Sequence, residues 1–198
     1  EEARVWVKTF RSDTLRDPDL ASGTTVAVAN YKGGVSKTTT AAALAQGLSL
    51  RGHRVLVIDT DPQGSLTTLF GVLPDTEVEA ESTILGLCTG DADSIMPAIQ
   101  KTYWDGIDLV AAAPILFNAE FLLPSRQAND PDFAFWRVLD SGLEEARNFY
   151  DIIIIDTPPS LSYITINALI AADGVLMPLP PNALDFASSA QFWSLFTG

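Results

Sequence analysis

The densest chemistry in the chain lies in one loop, Asn30-Tyr31-Lys32-Gly33-Gly34-Val35-Ser36-Lys37-Thr38-Thr39. It follows the apolar run Val26-Ala27-Val28-Ala29 and opens a stretch, Thr38 to Leu50, with Ala and Leu at helical spacing. In that setting backbone N–H groups converge on an anion, and the helix dipole favours negative charge. Lys37 would add a full positive charge on the β- and γ-phosphates of a nucleotide, and the Thr38 hydroxyl would reach Mg2+. The common pattern G-x-x-x-x-G-K-[ST] does not fit, because its two glycine positions hold Tyr31 and Ser36. What fits is K-G-G-x-x-K-T, from Lys32 to Thr38, with a second lysine at the loop's entrance. The bland alternative is a glycine-rich turn with two solvated lysines; the flanking strand and helix weigh against it.

Two acidic segments complete the set. Asp59-Thr60-Asp61-Pro62-Gln63-Gly64 ends the aliphatic run Arg54 to Ile58, at the strand end where ligands of open α/β sheets bind. Asp156 follows four isoleucines, Ile152 to Ile155, and precedes Thr157-Pro158-Pro159-Ser160. An acid there is costly to bury unless a cation or a hydrogen-bonded water meets it. Mg2+ would be such a cation; a carboxylate capping the next helix is the plainer reading.

The elements that must position these residues read as follows. Strand, loop, helix and strand from Thr25 to Asp59 form a βαβ unit with a right-handed crossover, closed by Gly52 as a helix C-cap. Short helices are expected at Ser82 to Leu87 and Ala92 to Lys101, and a strand at Ile107 to Ala112. Longer helices are expected at Ile115 to Leu123 and Phe133 to Arg147. The pattern then sharpens: a strand at Asp151 to Asp156, a helix at Ile164 to Ala172, a buried strand at Gly174 to Pro178, and a helix beginning at Ala187. Residues 1–24 read as an arm or linker, with Arg4 to Lys8 alternating like a short strand. Residues 25–198 read as the main domain. Apolar strands alternating with helices imply a doubly wound α/β fold with a mainly parallel sheet. Because the chain stops as a helix begins, the fold is expected to be C-terminally incomplete.

The three segments, in this order, resemble the ParA/MinD superfamily of P-loop ATPases with a deviant Walker A motif. The resemblance spans Thr25 to Phe196. A looser similarity, at Lys101 to Leu109 and at Leu184-Asp185-Phe186, points to the larger plasmid and secondary-chromosome partition ATPases, whose N-terminal helix-turn-helix is absent here. The resemblance implies ATP or ADP and Mg2+ as ligands. It places Lys32, Gly33, Gly34, Val35, Ser36, Lys37, Thr38 and Thr39 on the nucleotide. Thr38 would bind Mg2+, with Asp59 and Asp156 orienting its waters. Asp61 would position the attacking water, and Lys32 would reach the partner subunit's nucleotide in an ATP-sandwich homodimer. It further implies a centromere-binding partner of the ParB kind, and non-specific DNA bound through regions outside residues 1–198. Ser36 departs from the glycine many relatives carry. A MinD-like membrane-associated regulator of cell division, or a P-loop biosynthetic enzyme that activates a carboxylate with ATP, would share these motifs.

Composition narrows the field. The chain has 198 residues, 12 basic and 25 acidic, for a net charge of −13. Such a surface repels phosphate backbones. A lone Cys88 excludes a disulfide framework and an all-cysteine metal site within one chain, and a Ser-His-Asp relay would have to use the lone His53. No apolar run approaches the ~20 residues of a spanning helix and no signal peptide is evident. The expected location is therefore the cytoplasm, on the nucleoid if the resemblance holds, with no membrane partner.

Overall fold

The computed structural model describes residues 5, 7, 9, 16, 17 and 21–181. Its strands are β1 (Thr24–Val28), β2 (Val55–Asp59), β3 (Gln100–Lys101), β4 (Ile107–Val110), β5 (Ile152–Asp156) and β6 (Gly174–Leu176). They form one sheet in the order β3-β4-β2-β5-β1-β6. Every pairing is parallel except β3 against β4. The helices are α1 (Lys37–Ser49), α2 (Ser65–Leu69), α3 (Leu85–Thr89), α4 (Ala119–Asn129), α5 (Val138–Gly142), α6 (Ala146–Phe149) and α7 (Tyr163–Ala171).

The aliphatic strands explain the layering. Side chains alternate across a strand, so a run apolar at every position must be covered on both faces. Val55 and Val57 of β2 and Ile154 of β5 pack with Ala41 and Ala45 of α1 and Leu66 of α2. Leu56, Ile58, Ile153 and Ile155 point the other way, onto Leu85, Leu123, Leu139 and Ile164 of α3, α4, α5 and α7. Ile153, Ile154 and Ile155 are fully buried, each worth ~1.5–3 kcal/mol relative to exposure. The small residues of α1 let its axis lie close to the sheet, which brings the start of α1 over the end of β1.

At the opposite end of the strands, Asp151 gathers their starts. Its carboxylate accepts from Arg16 Nε at 3.2 Å and from the Arg54 backbone N–H at 2.7 Å. Arg16 of the expected arm is thereby held to the base of the sheet.

Several expectations need correction. The alternating segment at residues 4–8 is not a strand where described, because Val5, Val7 and Thr9 are helical. The helix expected over Ala92 to Lys101 is a 3-10 turn, Met96–Ala98, followed by β3; Pro97 lacks the N–H a longer helix would need. Ser82 to Leu87 divides into a 3-10 turn at Ala80–Ser82 and α3. The helix begun at Ile115 starts instead as a 3-10 turn, Pro114–Asn118, and runs on through α4. Phe133 to Arg147 is broken into a 3-10 turn, α5 and α6. The break comes at Gly142, where a Cβ would fall 2.5 Å from a Leu87 methyl. The last expected strand is shorter than Gly174 to Pro178 and is not buried; Val175 and Leu176 on β6 are each 38% exposed. The helix expected from Ala187 lies outside the described residues.

Candidate active site

Parallel register assembles the site. Val28 of β1 lies opposite Asp156 of β5, and Asp156 lies opposite Asp59 of β2. The three strands therefore release their chains at the same end of the sheet, and both acids sit directly beneath the loop that leaves β1.

That loop turns through two left-handed residues, Gly34 with φ 73° and Ser36 with φ 63°. Ser36 is the only non-glycine residue with positive φ among the described residues. A β-carbon there costs on the order of 1 kcal/mol. Ser36 is also the residue before α1, and its side chain caps none of the first amides of the helix. Those amides stay available to an anion. Asn30 braces the entrance, its Oδ1 accepting from the Lys32 N–H at 3.1 Å and its Nδ2 donating to the Pro178 carbonyl at 2.9 Å. Lys37 is buried, and its ammonium donates to the Lys32 carbonyl at 3.1 Å. Burial lowers its pKa, while Asp156 and Asp61 oppose that shift.

A cleft of about 520 Å3 opens over the loop, lined by residues 33–39 and by Asp61, Gln63, Thr68 and Pro159 among others. Gly33, Gly34, Val35, Ser36, Lys37, Thr38, Thr39 and Asp61 thus come together on one cleft. The Val35 side chain is buried, so that residue offers the cleft mainly backbone. Lys32 is half-buried and does not line this cleft. A second cleft, about 410 Å3, lies between α3 and α5 and contains none of the expected residues.

Asp59 and Asp156 lie under the cleft floor, both fully buried, and they differ sharply. Asp59 Oδ2 accepts from the Thr67 N–H and the Thr67 hydroxyl, each at 2.8 Å, and Oδ1 accepts from the Asp61 N–H at 3.1 Å. Burial pushes its pKa up to about 6 against those bonds. Asp156 has no hydrogen-bond partner on either carboxylate oxygen among the described residues. Burial pushes it up to about 7, although the nearby Thr38 hydroxyl and Lys37 ammonium favour its charge. A buried carboxylate with two vacant acceptors beside a hydroxyl fits a hydrated hard cation. Among the described residues no group of three or more His, Cys, Asp or Glu could hold a metal. A cation here would therefore rest on Thr38, the two carboxylates and water, as Mg2+ does.

Three threonines shape the site without being expected site residues, although Thr60 and Thr157 lie within the two acidic segments. Thr67 carries Asp59. The Thr60 hydroxyl donates to the Asp156 carbonyl at 2.6 Å, and the Thr157 hydroxyl donates to the Val28 carbonyl at 2.9 Å. The last two cross-brace β1, β2 and β5 beyond their final ladder bonds. Their only signal in sequence is position, one residue after each acid.

The sequence model of the family described as an AAA domain matches residues 23–197. The chain is 35% identical over 176 residues to protein SopA of Escherichia coli K12, covering 86% of this chain and 44% of SopA. It is 38% identical over 156 residues to the chromosome partitioning protein ParA of Caulobacter vibrioides, covering 78% of this chain and 55% of that protein. The chain thus spans about half the length of the curated relatives it matches. Two solved structures are similar in fold. One is the ATP complex of a substituted Cyanothece McdA, at TM-score 0.77 and 29% identity, covering 88% of this chain and 63% of that one. The other is cobyrinic acid a,c-diamide synthase from Mycobacterium smegmatis with an ATP analogue and magnesium, at TM-score 0.75 and 36% identity, covering 87% and 66%. Family match, relatives and site geometry agree: the chain belongs to the AAA domain family, and within it is similar to ParA-type partition proteins.

Proposed function

We propose that the whole protein hydrolyses ATP with Mg2+ to drive partition of a plasmid or chromosome, through an ATP-dependent dimer that controls DNA binding. The observation that carries this reading is Asp156, a fully buried carboxylate with two vacant acceptors directly below a two-lysine phosphate loop. The amides of residues 33–39 and the Lys37 ammonium would hold the phosphates. Thr38, Asp59 and Asp156 would hold Mg2+ and its waters. Bound there, the ion would offset phosphate charge and help align the γ-phosphoryl group for in-line attack. Asp61 reaches the cleft wall and would orient the attacking water. The Lys37 ammonium is already turned into the loop, on the Lys32 carbonyl, so binding needs little reorganisation.

Lys32 does not line its own cleft, which supports a task in trans. A lysine supplied by a second copy would add positive charge at the transferred phosphoryl group only in the dimer, coupling hydrolysis to assembly. The similarity to a chromosome partitioning protein supports DNA as the cargo; a centromere-binding partner and a place on the nucleoid in the cytoplasm belong to the same proposal. With a net charge of −13 on this chain, the DNA-binding surface would lie outside it. No described helix is long and apolar enough to cross a membrane.

A biosynthetic reading has one observation in its favour, the similarity to a diamide synthase. One experiment separates the two: ATP turnover by the protein expressed from its whole reading frame, with Mg2+. Stimulation by duplex DNA together with the centromere-binding partner is expected. Stimulation by a small carboxylic acid and an amide donor, with no response to DNA, would replace partition with biosynthesis.

A further inference from the structure

We propose that Thr67 is a positioning residue for Asp59, fixing which oxygen of that carboxylate is left to serve the metal; this rests on the ATPase reading above. A carboxylate offers about four acceptor positions. Thr67 occupies both on Oδ2, through its backbone N–H and its hydroxyl, each at 2.8 Å. The Asp61 N–H occupies one on Oδ1 at 3.1 Å. One position remains, and it is on Oδ1.

The hydroxyl has no freedom to do otherwise. It accepts from the Ala112 N–H at 2.8 Å, so its single proton is committed to Asp59. Thr67, Asp59 and Ala112 are all fully buried, so water does not compete for these bonds. Ala112 lies just past the end of β4, and Asp61 begins the segment that lines the cleft. The Thr67 side chain therefore ties the carboxylate to the exit of β4, and the carboxylate in turn holds the Asp61 amide at the cleft wall. A threonine that merely filled space would be replaceable by valine, its near-isostere. A threonine that positions Asp59 would not be.

The test uses Thr67→Val and Thr67→Ser in the protein from its whole reading frame. Thr67→Val should raise the Mg2+ concentration for half-maximal ATP turnover at least about tenfold, the scale of losing a partner that orients a metal ligand, with kcat at saturating Mg2+ much less affected. Thr67→Ser, which keeps the hydroxyl, should track wild type. In the nucleotide-free protein, amide exchange at Ala112 should speed up in Thr67→Val and not in Thr67→Ser. Should Thr67→Val fail to fold, Thr67→Ala gives the same comparison. Wild-type Mg2+ dependence and wild-type Ala112 exchange in the folded valine or alanine variant would overturn the proposal. So would a serine variant as impaired as they are. Wild type lacking any Mg2+-dependent turnover would sink the ATPase reading itself, and this assignment with it.

Discussion

Replacing Asp156 with asparagine should stabilise the empty protein while destroying its response to nucleotide. The carboxylate is fully buried and neither oxygen has a partner among the described residues. Burial raises its folded-state pKa from the ordinary 3.8 to about 7. The folded state thus binds this proton more tightly than the unfolded state does. The contribution to stability is fully present below about pH 4 and is lost as pH rises through 7. About three pH units at ~1.4 kcal/mol each make the ionised group cost ~4 kcal/mol above pH 7. The asparagine amide is also left without a partner, which takes back about 1–2 kcal/mol. A net gain of ~2–3 kcal/mol is expected near pH 8. The gain should vanish or reverse near pH 5, where Asp156 is already protonated. Urea denaturation of nucleotide-free protein at both pH values measures this directly, since a shifted midpoint at constant slope reports stability. Mg2+ with ATP should stabilise wild type and not the variant. Loss of stability at pH 8, or an equal change at both pH values, would refute the idea that Asp156 is an uncompensated buried charge awaiting a cation.

Three other outcomes follow from the same geometry. Lys37→Ala removes a charge-assisted phosphate contact worth ~1.5–3 kcal/mol, so ATP affinity by titration should fall about tenfold or more; unchanged affinity would contradict the phosphate-loop assignment. Lys32→Ala should bind ATP nearly normally but fail to form the dimer with a non-hydrolysable analogue by light scattering. A variant that still dimerises and turns over ATP would argue for a monomeric enzyme. Ser36→Gly should relieve left-handed strain and raise the denaturation midpoint, by up to about 1 kcal/mol in stability, and a lower midpoint would show that the serine makes a contact outweighing its strain.

What could be read from sequence depended on how local its cause was. The aliphatic runs at β1, β2 and β5 announced themselves because burial on both faces requires every position to be apolar. The phosphate loop was legible because its chemistry lies in one continuous segment. The middle of the chain was not. Whether Ala92 to Lys101 or Phe133 to Arg147 forms one helix depends on Pro97 and on how closely Gly142 must approach Leu87. Proline is visible in sequence, but the approach is a tertiary fact. The arm at residues 4–8 shows the weakness of alternation over so short a span. At the site, the acids could be named from their motifs but not told apart. Asp59 is well bonded and Asp156 is not, because Thr67 is brought beneath Asp59 and held there by Ala112, 45 residues further on.

The strand order also sets a timetable for synthesis. β1 and β2, which deliver the phosphate loop and Asp59, never pair with each other; β5 lies between them and bonds to both. A ribosome adding about 5–20 residues per second makes β2 some 5–20 seconds before it makes β5, roughly 100 residues later. Through that interval the nascent chain carries two apolar strands without the neighbour that joins them, and a phosphate loop with no floor. Nucleotide cannot act as an early folding template here. It can only select a sheet that is already closed, which leaves the waiting strands as a natural substrate for chaperones.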